Sequence, residues 1–303
     1  MIKTPPYLEP GDTIGIVCPA GFMAYEKAAE CIRVLTEEWG FRVQVGKTLG
    51  GSSENYFSGT DKERLADLQV MLDDDNVKAI LFARGGYGMG RIIDDINFEQ
   101  FKKNPKWLIG YSDITVLHTH LYTNYYISSM HAPMAAAFNN AGYINRFVGS
   151  LKSALSGNFA RYSCEAHDLN RTGAGIGELV GGNLALLANV IGTDSDFKTR
   201  ERILFIEDVG EYIYSADRMF LQLKRAGKLK KLAGLIIGGF TDMKDTERPF
   251  GKTIYESIRE HVKEYDYPVC FGFPVSHTDE NYALKIGVGY KLKVGKSKVT
   301  LEE

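Results

Sequence analysis

The chain has 303 residues, a formal net charge of −2 and 24% charged side chains, which predicts two soluble domains with sizeable cores and gives no bulk electrostatic drive towards nucleic acid or an anionic membrane. No apolar segment near the start reads as a secretory signal, and no apolar run approaches membrane-spanning length. The four cysteines, Cys18, Cys31, Cys164 and Cys270, are scattered without a C-x-x-C pair, so a reducing cytoplasm and core-filling thiols are expected, with neither a disulfide framework nor a zinc site.

The first half alternates strand and helix. Residues 13–18 read as a buried strand, and 25–39 carry apolar residues at helical spacing until Gly40 stops them. Residues 41–45 form a second strand. Thr60 and Glu63 make a capping box that opens a helix to about residue 73. A strand over 77–83 leads into the loop Arg84-Gly85-Gly86-Tyr87-Gly88, followed by a short helix over 91–96. A strand at 107–110, a helix at 113–122 and a short strand at 127–131 complete a parallel sheet with helices on both faces. Residues 140–175 lose this rhythm. With Gly142, Gly149, Gly157, Gly173 and Gly175 spread through them, they read as a helix plus connecting segments, which places the domains at 1–150 and 175–303. The second half returns to helices at 184–191, 215–226 and 253–265, and strands at 202–207, 232–238 and 268–273. An antiparallel ribbon follows over 284–301, with a turn at Gly295-Lys296.

The sharpest chemical feature is Gly110-Tyr111-Ser112-Asp113, at the turn from a short apolar strand into a helix. A serine there is lifted clear of the sheet edge, beside a helix N-terminus that favours developing negative charge. The fifth position of the G-x-S-x-G elbow is Ile114 rather than glycine, and either Ser112 or Asp113 could simply cap the helix. The glycine loop after residue 83 lets backbone N–H groups approach a ligand, but lacks nucleotide-binding spacing. A serine nucleophile needs a base and an orienting acceptor. Of six histidines, His118 and His120 lie down the helix from Ser112 and face different directions, while His167 and His261 read as surface residues. His131 follows a strand near the same edge, and His277 occupies a loop leaving a strand. Glu207 closes a strongly apolar strand and so needs a partner, either a catalytic histidine or an arginine such as Arg202 or Arg218.

Taken in order, Ala83-Arg84-Gly85-Gly86-Tyr87-Gly88, Ile109-Gly110-Tyr111-Ser112-Asp113-Ile114-Thr115, Gly181-Gly182-Asn183-Leu184, Phe205-Ile206-Glu207-Asp208-Val209-Gly210-Glu211 and Pro274-Val275-Ser276-His277 resemble the LD-carboxypeptidases, serine peptidase family S66. The resemblance covers nearly the whole chain, with one departure: Ala132 stands after His131 where the family often has glycine. It implies an α/β fold with an N-terminal flavodoxin-like parallel-sheet domain and a smaller C-terminal β/α domain, paired as a homodimer. It also implies a catalytic triad of Ser112, Glu207 and His277, an oxyanion hole from the N–H groups of Gly86 and Asp113, and no metal or organic cofactor. The implied substrate is a murein tetrapeptide, free or sugar-linked, trimmed of its terminal D-alanine during wall recycling. Arg84, Asn183, Asp208 and Glu211 are candidate substrate contacts, with loop or backbone support as their alternative role. Two other readings stand beside this one. The first is a microcin-immunity-type hydrolase of aminoacyl-nucleotides, whose aromatic-bearing loop is longer than residues 240–251 here. The second is a non-catalytic two-lobed binding protein.

Overall fold

The computed structural model describes residues 2–51, 53–139 and 145–303; Gly142, at the head of the expected linker, lies outside them. The chain divides into two compact units, one running to Asn158 and taking in Tyr282–Lys285, the other comprising Phe159–Asn281 and Ile286–Glu303.

The first unit is built on β1 (Thr13–Val17), β2 (Arg42–Val45), β3 (Val77–Phe82), β4 (Trp107–Gly110) and β5 (Ser129–His131). β1 and β4 are buried along their whole length, as strands covered on both faces should be. Neighbours pair in parallel, as the alternation of strand and helix predicts, in the order β2-β1-β3-β4-β5, the flavodoxin-like order that the family resemblance implies. The strand order reverses between β1 and β3, and the loops beyond their carboxyl ends meet where the Gly21 N–H bonds the Gly85 carbonyl at 3.1 Å. Such a reversal opens a crevice beyond the carboxyl ends of the strands. The expected capping box is present on the helix Asp61–Asp73. The segment from residue 25 to 38 is helical but broken into 3-10, α and π turns.

The second unit begins earlier than the composition suggested. The segment read as a linker contains the helix Arg146–Leu155 of the first unit, then β6 (Arg161–Glu165) and the first half of β7 (Gly173–Asn183). β8 (Ile203–Val209), β9 (Gly234–Thr241) and β10 (Val269–Phe271) follow, with β7 through β10 parallel. The chain then returns to the first unit, where β11 (Leu284–Ile286) joins β5 as the sixth strand of that sheet. β12 (Gly289–Val294) and β13 (Lys298–Glu302) close the second sheet antiparallel, in the order β10-β9-β8-β7-β12-β13-β6. β6 and β10 lie at opposite ends of that order, yet the Cys164 and Cys270 thiols are near enough to shift each other's titration, Cys164 downward and Cys270 upward. Just past β6, Arg171 pairs with Val269 of β10 through N–H to carbonyl bonds of 2.9 and 3.1 Å. The sheet therefore curls until its ends meet.

Candidate active site

In the first unit the sequence places a sharp strand-to-helix elbow at the tip of β4, with Ser112 on it. Tyr111 is extended, Ser112 turns to φ +63°, and a 3-10 turn over Ser112–Ile114 feeds the helix Thr115–Tyr125. A β-carbon is strained in this left-handed conformation, and strain of this kind collects where a side chain must be presented. Neither Ser112 nor Asp113 caps the helix. Gly110 is required by space: a Cβ there would lie 2.9 Å from Ile114 Cγ1 and 3.3 Å from Phe82 Cβ.

The glycine loop packs directly on this elbow. A Cβ on Gly85 would sit 3.0 Å from Ser112 Cβ and 3.3 Å from its Oγ, so any larger residue there would push the serine by a few tenths of an ångström. Gly86 has φ +103°, and a Cβ on it would fall 2.6 Å from the Tyr56 hydroxyl. Asp113 ties loop to elbow by accepting the Met89 N–H at 2.7 Å. Burial pushes its carboxyl up to about 6, against the lowering pull of the Met89 and Gly88 amides. The Asp113 N–H lies in the first helical turn, where backbone donors have no intrahelical acceptor.

In the second unit, Glu207 lies on β8 and is fully buried. Its Oε2 is 2.5 Å from His277 Nδ1, and among the described residues its Oε1 has no hydrogen-bond partner. The two arginines that could have neutralised it are engaged elsewhere, Arg202 with Glu178 at 2.8 Å and Arg218 with Ser215 at 3.4 Å. A glycine pair on β9 makes the Glu207–His277 contact possible. The ladder slips between Ile206 and Asp208, so that Gly238 and Gly239 together face Glu207. A Cβ on Gly238 would lie 2.2 Å from the Val275 carbonyl oxygen, and one on Gly239 would lie 2.5 Å from Ser276 Cβ. Their bareness lets the loop carrying His277 press onto β9, pinned by the Gly239 N–H to Val275 carbonyl bond of 2.9 Å. With Nδ1–H donated to the carboxylate, the basic lone pair of the neutral ring is on Nε2. Burial lowers the His277 pKa, but the Glu207 hydrogen bond and the charges of Glu207 and Asp208 raise it by more, leaving it above its ordinary value.

Comparison with known proteins gives this arrangement a family. Residues 14–132 match the LD-carboxypeptidase N-terminal domain and residues 176–292 the LD-carboxypeptidase C-terminal domain. A probable murein peptide carboxypeptidase of Bacillus subtilis is 35% identical over 98% of this chain and 94% of its own length. The chain belongs to the LD-carboxypeptidase family. It is a serine carboxypeptidase of mixed α/β fold. The crystal structure of the muramoyltetrapeptide carboxypeptidase from Oxalobacter formigenes superposes with a TM-score of 0.85 at 27% identity, covering 96% of this chain and 98% of that one. The microcin C7 self-immunity protein of Escherichia coli is 26% identical over 97% of this chain and 94% of its own length.

The other expected residues of this LD-carboxypeptidase fall out as follows. Arg84 is exposed and donates from Nη1 to the Phe22 carbonyl at 2.6 Å, bracing the glycine loop against the loop after β1. Asn183 is buried and caps the helix Leu184–Asn189, while its amide donates to Asp208 Oδ1 at 2.8 Å. Asp208 is buried too; its carboxylate accepts from Asn183 and from the Ala185 and Val209 amides, and burial pushes it up to about 6. Both side chains thus hold backbone in place beside Glu207. Glu211 is half-buried, and its carbonyl accepts the Lys244 N–H at 2.8 Å. His261 is half-buried rather than a surface residue, bonding Asp217 at 2.8 Å, and His167 is half-buried as well. Sequence reasoning missed Arg64. Its buried guanidinium donates to the carbonyls of Pro19 and Gly88 and so supports the glycine loop from beneath. Among the described residues no group of three or more His, Cys, Asp or Glu side chains gathers as a metal site, and no helix is long and apolar enough to cross a membrane.

Proposed function

We propose that this enzyme removes the terminal D-alanine from murein tetrapeptides, with Ser112 as nucleophile, His277 as general base and Glu207 as its orienting carboxylate. The observation that carries this reading is Ser112 held at φ +63° at the tip of a parallel strand, with a glycine loop packed closely against it. Ser112 Oγ attacks the carbonyl carbon of the L-residue that precedes D-alanine. His277 Nε2 takes the hydroxyl proton and returns it to the leaving amine, and water then hydrolyses the acyl-enzyme by the same route. Glu207 holds the imidazole tautomer and stabilises its cation. The Gly86 and Asp113 N–H groups receive the oxyanion, a contribution of about a hundred- to a thousand-fold in rate for each donor. Water is the only co-reactant, so the reaction balances without an organic cofactor.

The murein substrate is supported by the likeness to the probable murein peptide carboxypeptidase of Bacillus subtilis and the muramoyltetrapeptide carboxypeptidase of Oxalobacter formigenes. The immunity-protein relative supports a second reading, hydrolysis of aminoacyl-nucleotides. Against it, the segment from β9 to the helix Ile254–His261 contains no tryptophan, and both tryptophans of the chain, Trp39 and Trp107, are buried in the first unit. Mass spectrometry of purified murein tetrapeptide incubated with the enzyme tests the proposal. Loss of one alanine, absent in Ser112→Ala, is expected; cleavage of an aminoacyl-adenylate analogue with the tetrapeptide left intact would transfer the assignment to the second reading. A cytoplasmic homodimer is part of the proposal, and light scattering on the purified protein checks the dimer.

A further inference from the structure

His118 is fully buried on the helix Thr115–Tyr125, and the mechanism above does not use it. Its Nε2 lies 2.9 Å from the Gly110 carbonyl oxygen, and its Nδ1 lies 2.8 Å from Ser129 Oγ on β5. A carbonyl only accepts, so Nε2 carries the proton. Burial pulls the ring down to about 4, against the opposing pull of the Gly110 bond, so the ring is neutral and Nδ1 accepts the Ser129 hydroxyl proton. The Gly110 carbonyl also accepts the Ala132 N–H at 3.3 Å, which engages both of its lone pairs.

This bond falls where the elbow is weakest. Ser112 is strained, and two residues before it stands a glycine that Ile114 and Phe82 require to be bare. Glycine is the residue whose backbone swings most freely, so it is where the strain would escape by rotation of the following peptide. We infer that His118 is a positioning residue for the nucleophile, fixing the Gly110–Tyr111 peptide so that Ser112 keeps its left-handed presentation, with Ser129 choosing the tautomer that does so. The inference rests on Ser112 being the nucleophile.

Three variants test it on the full-length enzyme with murein tetrapeptide: His118→Leu deletes both bonds, His118→Gln keeps a donor near the Nε2 position, and Ser129→Ala leaves the ring but removes its tautomer partner. His118→Leu should lose about tenfold to a hundredfold in kcat per folded molecule, with KM within about twofold. His118→Gln should recover most of the loss and Ser129→Ala should fall between. A role confined to folding would lower the melting temperature while leaving kcat per folded molecule unchanged, and that result in His118→Leu overturns the inference. Should His118→Leu fail to fold, unchanged kcat in folded Ser129→Ala overturns it instead. Ser112→Ala is assayed in parallel. If it retains turnover, the nucleophile assignment fails and this inference with it; if it is inactive while folded His118 and Ser129 variants keep full kcat, only the positioning role fails.

Discussion

Replacing Ser112 by alanine and by glycine separates backbone strain from chemistry. Both variants lose the hydroxyl and should be inactive, but only alanine keeps a β-carbon at φ +63°. Left-handed backbone costs an L-residue about 1–2 kcal/mol. Glycine avoids that but loses about 0.5–1 kcal/mol to its greater freedom in the unfolded chain. Ser112 is only half-buried, so removing the Cβ sacrifices little packing. The difference leaves Ser112→Gly about 0.5–1 kcal/mol more stable than Ser112→Ala. For a unit of this size, that corresponds to about 1–4 °C in melting temperature. Differential scanning calorimetry of the two proteins, with urea unfolding as a check, measures it. An alanine variant as stable as the glycine variant, or more so, would show that the elbow is relaxed and would remove the strain from the reasoning.

Gly85→Ala places a Cβ 3.0 Å from Ser112 Cβ, and steady-state kinetics should show kcat reduced about tenfold to a hundredfold as the nucleophile is displaced. Because His277 must be neutral to accept a proton and its pKa lies above the ordinary 6.5, kcat/KM should rise with pH through an apparent pKa above that value. Glu207→Gln should move that limb down and reduce kcat by about three to four orders of magnitude, read from a pH-rate profile. The raised His277 pKa also favours the fold at acid pH, a contribution that fades as pH rises through the folded-state value; Glu207→Gln should flatten it. Asp113 acts in the same direction, though here it is the neutral form that the fold favours: the folded state keeps its proton up to about 6 while the unfolded chain releases it near 3.8, so its contribution to stability is lost as pH rises from about 3.8 to about 6. Urea titrations across that range should show a shallower fall of stability with rising pH in Asp113→Asn than in the wild type, the remainder coming from Asp208, which is raised to the same range.

The elements best legible in the sequence were those where one local signal settled the matter. The Thr60–Glu63 capping box, the apolar strand before Ser112 and the apolar strand carrying Glu207 all appear where the pattern put them. The failure at 161–175 has a physical cause. Its glycines read as loop punctuation, yet in β7 they answer to close packing. A Cβ on Gly175 would lie 1.8 Å from the Ala233 carbonyl oxygen, and one on Gly177 would lie 2.6 Å from that of Glu201. The same ambiguity hid Gly238 and Gly239, whose purpose appears only once the His277 loop lies against them. Contacts between distant segments left no local trace. The return of Tyr282–Lys285 to the first unit, with the Ala283 N–H on Ser150 Oγ at 2.9 Å, and the reach of Arg64 beneath the glycine loop belong to this class.

The curled second sheet has a consequence for the life of the protein in a crowded solution. A terminal strand ordinarily offers a row of unmet donors and acceptors to any extended chain that drifts past. On β10 those groups are occupied: Val269 exchanges both of its bonds with Arg171, and the Phe271 N–H is taken by the Asn170 side chain at 2.7 Å. A foreign peptide would have to evict this internal clasp before it could add a strand there, so fibril-like growth has no template at that margin.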